Sequence, residues 1–376
     1  MRLWPFALER WQSVWENQVD LNLSESGVHP LRLDEVLDAA GLSHLAAASL
    51  GYPQTNGTPG LRAALAALYP GATAANILVT NGGSEANFVA TWALLSPGDE
   101  AVVMAPNYMQ LDGLVRTLGA TVRPLPLVEE RGWALDHAAL DELVGSRTKL
   151  IAVCNPNNPT GTVLSDDDRA ALVAAADRVG AWLLADEIYR GAERDTETET
   201  ATFWGSYDRL LVTAGLSKAY GLPGLRIGWV VAPAEWADRL WAYHDYTSIA
   251  PSALSDYIAT VALDPARRPG ILARTRGIIR ANYPIVARWA TEAGLFTWTP
   301  PAAGAIVTLR YSGPGLDGLP SETLAERLRR EQSVLIVPGA HFGVEGTMRL
   351  GFGSDPGSLH AGLDRISATL AHRERA

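Results

Sequence analysis

The stretch AGLSKAYGLPGLRIGW, residues 214–229, decides how this chain is to be read. It continues RLLVTAG (209–215), an apolar run with the character of a buried strand. Lys218 stands just past that strand in a segment flanked by glycines, and Arg226 follows eight residues later. An amine set among apolar residues near a second cation has a lowered pKa and becomes a nucleophile toward carbonyl groups. An arginine fork suits a phosphate dianion. Lysine is also scarce here: of 31 basic side chains only Lys149 and Lys218 are lysines, which leaves 29 arginines. Codon bias in a chain rich in Ala, Gly, Arg and Leu accounts for the scarcity, but not for where Lys218 stands.

Outward from this segment the chain alternates strand and helix. NILVT (76–80), EAVVMA (100–105), TVRPLPL (121–127), KLIAVCN (149–155) and AWLLAD (181–186) read as strands. EANFVATWALL (85–95), QLDGLVRTLG (110–119) and SDDDRAALVAAADRVG (165–180) read as helices. Such alternation predicts an α/β fold, a three-layer α/β/α large domain over 46–250 whose mostly parallel sheet is covered on both faces. Residues 1–45 and 251–376 fall outside it, as an N-terminal arm and a smaller α+β domain. In the arm, Trp4, Leu8, Trp11 and Trp15 share helical spacing, with Pro5 suited to the first turn. The second part starts with helix over roughly 252–293, interrupted near Pro265 to Pro269, and continues through the strands AIVTLRY, VLIVP and TMRLGFG.

Composition excludes several functions. A net charge of −10 without a basic cluster argues against nucleic acid, and 47% hydrophobic residues with 12 tryptophans argue against disorder. The lone Cys154 makes no internal disulfide, and no secretory or membrane-spanning run is present, so a reducing cytoplasm is the expected setting. No metal is expected. The G-x-G-x-x-G match at Gly313, Gly315 and Gly318 contains Pro314 and lacks the acidic residue of a dinucleotide site, and reads as a surface loop. The sequons at Asn22 and Asn56 read as chance matches.

Three further motifs carry chemistry. TNGGSEAN (80–87) ends a strand and opens a helix, where free amides and the helix dipole favour an anion. NPNNPTG (155–161) is a rigid polar loop at the carboxyl edge of a parallel sheet, where open α/β folds place ligands. LLADEIYRG (183–191) ends a buried strand in Asp186, a carboxylate that needs a cation or donors opposite it.

Taken together in this order, GGS, NPNNPTG, DEIY, SKAYGLPGLRIG and a late MRLGF resemble the fold-type-I pyridoxal-phosphate aminotransferases of class I/II, over roughly 45 to 360. The resemblance implies pyridoxal 5'-phosphate joined to Lys218 as a Schiff base. Asp186 would face the ring nitrogen, Asn158 and Tyr189 the ring hydroxyl, and Tyr108 the ring face. Gly83, Ser84 and Arg226 would hold the phosphate. Tyr52 would reach the phosphate of a neighbouring subunit, implying a homodimer, and Arg349 would grip the substrate carboxylate beside Asn158. One departure is Gly215, where the family often carries a Ser or Thr phosphate ligand; Thr213 or a water would have to take that place.

The implied reaction moves an amino group between an L-amino acid and a 2-oxo acid, both small molecules. The arm sequence NLSESGVHP (22–30), together with LSKAYGLPGLRIGW, is also similar to capreomycidine synthases, which cyclise a hydroxylated arginine derivative. That similarity offers a lyase or cyclase as the alternative, with Glu25 and Gly27 in the substrate site and Glu25 or His29 meeting a substrate side chain. Capping or solvating the arm is the plainer role for both side chains. A non-catalytic cofactor sensor is a third reading, disfavoured because Lys218 and Asp186 are both present.

Overall fold

A computed structural model describes residues 3–371. The alternation predicts the central sheet closely. Its strands are β1 (Ile77–Thr80), β2 (Glu100–Ala105), β3 (Thr121–Val128), β4 (Ala134–Leu135), β5 (Thr148–Cys154), β6 (Trp182–Asp186), β7 (Leu210–Gly215) and β8 (Gly228–Val231). They lie side by side in the order β1-β8-β7-β6-β5-β2-β3-β4. The run from β7 to β3 is parallel, while β8 is antiparallel to both its neighbours. β1 and β7 therefore point the same way, and their carboxyl ends share one edge with those of β2, β5 and β6.

Both faces of this sheet are buried, with a period of two. Leu78, Val103, Ala152, Leu184 and Leu211 face one apolar layer, whereas Val79, Val102, Ile151, Leu183 and Val212 face the other. The main chain has no other course for such strands, because each residue must bury its side chain on one side or the other.

A second, four-stranded antiparallel sheet is formed by Phe296–Thr297, Ile306–Tyr311, Thr347–Gly351 and Val337–Pro338. The helical region before it divides into Ala253–Ala262 and Arg268–Ala293, with the expected break between them and Pro269 in the first turn of the second.

The arm ties these parts together. Its helix α1 (Ala7–Trp15) starts after Phe6, so Pro5 precedes the helix rather than sitting in its first turn. Before α1, the Trp4 amide donates to Thr117 Oγ1 at 2.9 Å, on the large sheet's side. Within it, Leu8 packs on Val337 and Phe342, and Trp11 Nε1 donates to the Ile336 carbonyl at 2.8 Å. After it, Leu21–Asn22 pairs in parallel with Val334–Leu335. The chain then runs past the small sheet, where Gly351 N donates to Leu23 O and His29 N to Gly353 O, both at 2.7 Å.

Candidate active site

The carboxyl edge of the large sheet opens into a cavity of about 280 Å³. At its floor, helix α2 (Gly83–Leu94) begins after Gly82, whose φ of +88° only glycine adopts freely. A Cβ there would meet Arg226 Nη2 at 2.2 Å. The guanidinium thus lies against the first turn of α2, near Gly83 and Ser84, and donates to Pro223 O at 3.1 Å and Ser217 Oγ at 3.4 Å. Helix amides, an arginine and a serine hydroxyl make an anion cradle.

Ser217 was not anticipated, although it adjoins Lys218. Thr213 is instead buried and donates to Asn87 Oδ1 at 2.6 Å, which removes it as a cradle ligand. At Gly215 a hydroxyl-bearing side chain would be crowded: a Cβ would lie 3.0 Å from both Ile188 Cδ1 and Ile227 O, and these neighbours would have to give way.

Asp186 closes β6 and is almost fully buried. Asn87 Nδ2 donates to it at 2.8 Å and the Ile188 amide at 3.0 Å. Neither donor is a cation, and burial pushes its pKa up to about 6 in spite of them. Asn87 is a second residue the motifs hid; it lies one helical turn past Gly83, and that spacing turns it back toward the strand end.

The Lys218 amine meets Glu25 Oε1 at 2.7 Å. Glu25 also accepts the amides of Ser26 and Gly27, each at 2.8 Å. Burial lowers the lysine's pKa, but Glu25 and then Tyr189 outweigh it, and the amine titrates above its ordinary value. Burial acts upward on Glu25 as well, yet Lys218 and the Gly27 amide hold it down at about 2. The cation for Glu25 is thus the lysine itself. Gly27 does not line the cavity; a Cβ on it would come within 3.5 Å of Lys218 Cδ. His29 is outside too, with Nδ1 3.2 Å from Gly353 O.

Arg349 occupies the middle of Thr347–Gly351 and is 1% exposed. Its Nη1 donates to Asn158 Oδ1 at 3.0 Å and its Nη2 to the Ser24 carbonyl, while Nε is buried without a partner among the described residues. Tyr189 is buried in the wall of the same cavity as Asn158, and burial raises its pKa against the pull of Lys218 and Arg349. Tyr108 packs edge-on against Phe6 with its hydroxyl donating to Glu9 on α1.

Ten of the twelve expected site residues therefore line one cavity. The exceptions are Gly27 and Tyr52, which is 83% exposed beside Leu50 and Leu254 on the outer surface. Glu9, Gln12 and Glu16 also line it and were not anticipated. Their i, i+3, i+7 spacing is the polar complement of the Leu8, Trp11 and Trp15 stripe, which in sequence looks like a solvated face.

Pyridoxal phosphate fits these residues. Asp186 is a buried carboxylate in want of a cation, as a protonated pyridine nitrogen would supply, and the cradle at α2 suits its phosphate. Comparison with known proteins agrees. The sequence model for aminotransferase class I and II matches residues 18–366, and the chain belongs to that family of pyridoxal-phosphate enzymes. Among particular proteins, it is 34% identical to the capreomycidine synthase of Streptomyces vinaceus, over 98% of this chain and 94% of that one. The crystal structure of a PLP-dependent aminotransferase from Streptococcus suis 89-1591 superposes with a TM-score of 0.92, at 33% identity over all of both chains. That of the PLP-dependent cyclase OrfR gives 0.87, at 31% identity over 100% of this chain and 99% of that one.

Proposed function

We propose that the protein is an aminotransferase, moving an amino group from an L-amino acid to a 2-oxo acid. One observation carries the reading: an amine, a cation-poor buried carboxylate and an arginine with a free Nε converge on one cavity at the carboxyl edge of the sheet. Bound pyridoxal phosphate supplies an electron sink for the substrate's α-carbon. The rest is the work of the chain. Arg349 fixes the substrate carboxylate, which orients the Cα–H bond. Lys218 takes the α-proton at Nζ and returns it. Asp186, buried and without a cation of its own, would hold the ring nitrogen in its protonated form by pairing with it. Asn158 and Tyr189 serve the ring oxygen, Tyr108 walls the ring, and Gly83, Ser84, Ser217 and Arg226 hold the phosphate. The exposure of Tyr52 supports its service to a neighbouring subunit in a homodimer, and the single buried thiol suits a cytoplasmic enzyme.

A second reading, elimination and cyclisation of an arginine-type amino acid, draws support from the likeness to capreomycidine synthase and OrfR. The test is incubation of the holoenzyme with amino acids and 2-oxo acids, with products identified by mass. Amine transfer supports the first reading, and a cyclised product without transfer replaces it by the second. Borohydride treatment should attach cofactor mass to Lys218 and leave Lys149 unlabelled; labelling elsewhere, or full turnover by Lys218→Ala, would refute both.

A further inference from the structure

Helix α1 and the residue that caps it, Glu16, bring Glu9, Gln12 and Glu16 into the same cavity that Lys218 and Arg349 line. The charges there are unevenly matched. Glu25 pairs with Lys218 while that amine is free. The Glu9 carboxylate accepts from the neutral Tyr108 hydroxyl and makes no ion pair, and the Glu16 carboxylate makes neither an ion pair nor a hydrogen bond among the described residues. Glu16 is half-buried, and burial together with the charges of Glu25 and Glu9 raises its pKa against the pull of Lys218. Glu9, Glu16 and Glu25 share one enclosed space with Lys218 and Arg349, whose charges reach Glu16 and Glu9; with Lys218 engaged at the cofactor the carboxylates would outnumber the cations on this side, and a positive ligand group relieves that cost.

The helix is held firmly in this orientation. Gln12 Nε2 donates to the Ser24 carbonyl at 2.8 Å and to Ser24 Oγ at 3.1 Å, and the same carbonyl accepts from Arg349 Nη2. Arg349, with its free Nε, gives the cavity a carboxylate-binding end; α1 gives it an anionic wall. An α-amino acid with a positively charged side chain satisfies both, whereas aspartate or glutamate would set like charges against the wall.

We infer that Glu16, supported by Glu9, selects substrates whose side chain ends in a cation such as a guanidinium or ammonium. This rests on the proposed amino-acid chemistry and names the substrate class for it. Glu16 is the specificity residue and Gln12 a positioning residue.

The experiment compares L-arginine with L-citrulline, which has nearly the same shape and no charge, by titrating the cofactor absorption band of the holoenzyme and by steady-state turnover. In the unmodified enzyme arginine should bind on the order of 10- to 100-fold more tightly. Glu16→Gln should bring the two within about threefold by weakening arginine alone, with kcat little changed. Glu16→Lys should reverse the preference in favour of L-glutamate, which guards against a merely disordered variant. Equal binding of arginine and citrulline by the unmodified enzyme, or an unchanged ratio in Glu16→Gln, would overturn the inference while leaving amino-acid chemistry intact. Absence of a response to every amino acid, charged or neutral, would overturn both.

Discussion

Replacing Asp186 by Asn should stabilise the cofactor-free protein at neutral pH while weakening its hold on the cofactor. The carboxyl titrates at about 6 in the fold against 3.8 when unperturbed. Between these values the folded state binds more protons than the unfolded one, so stability falls as pH rises through roughly 4 to 6 and stays lower above. The gap of about two units corresponds to about 3 kcal/mol, at about 1.4 kcal/mol per unit. Full burial of the group means that solvent screening does not reduce this figure. Asparagine keeps an acceptor for the Ile188 amide. Its new NH2 group would face Asn87 Nδ2, but rotating the Asn87 amide by half a turn presents an oxygen there, and the Thr213 hydroxyl then accepts instead of donating. Urea unfolding of both cofactor-free proteins from pH 4 to 8 provides the assay. The stability of the variant relative to the parent should improve by about 3 kcal/mol across that range. Glu187, which burial lifts to about 7, titrates in both proteins and cancels. With pyridoxal phosphate present the order should invert, because the variant loses the ion pair with the ring nitrogen. A stability difference that stays flat with pH would refute the argument that Asp186 is held ready for a cation.

Three other perturbations test neighbouring contacts. Glu25→Gln removes what raises the Lys218 pKa, so the pH at which the amine reacts with an aldehyde probe should fall; an unchanged pH–rate profile would show that the ion pair does not set the lysine's protonation. Gly215→Ser should lower stability by about 1–3 kcal/mol through contact with Ile188 and Ile227 O, seen as a lower Tm; tighter cofactor retention without loss of stability would contradict it. Arg349→Lys keeps the charge but loses the fork, and should raise KM about 10-fold or more for amino donors of every side-chain type. An effect confined to cationic donors would place Arg349 at the side chain instead.

How far sequence alone carries this protein is clear from particular residues. The alternation of strands and helices fixes the large sheet, because a strand buried on both faces must be apolar throughout and its crossovers amphipathic. Lys218 and Asp186 are equally legible: an amine at a strand end and a carboxylate closing a buried strand each require a special partner. Only the tertiary structure decided what that partner is. Glu25 lies 193 residues from the lysine it meets, and Arg349 lies 191 from Asn158. Local periodicity carries no record of such contacts. For the same reason Glu9 and Glu16 look like the wet side of an amphipathic helix until docking of its Leu8 and Trp11 side turns them into a cavity wall. The sequence dictates which groups are costly to bury; the path of the chain through space decides which of them share a burial site, and so what that site binds.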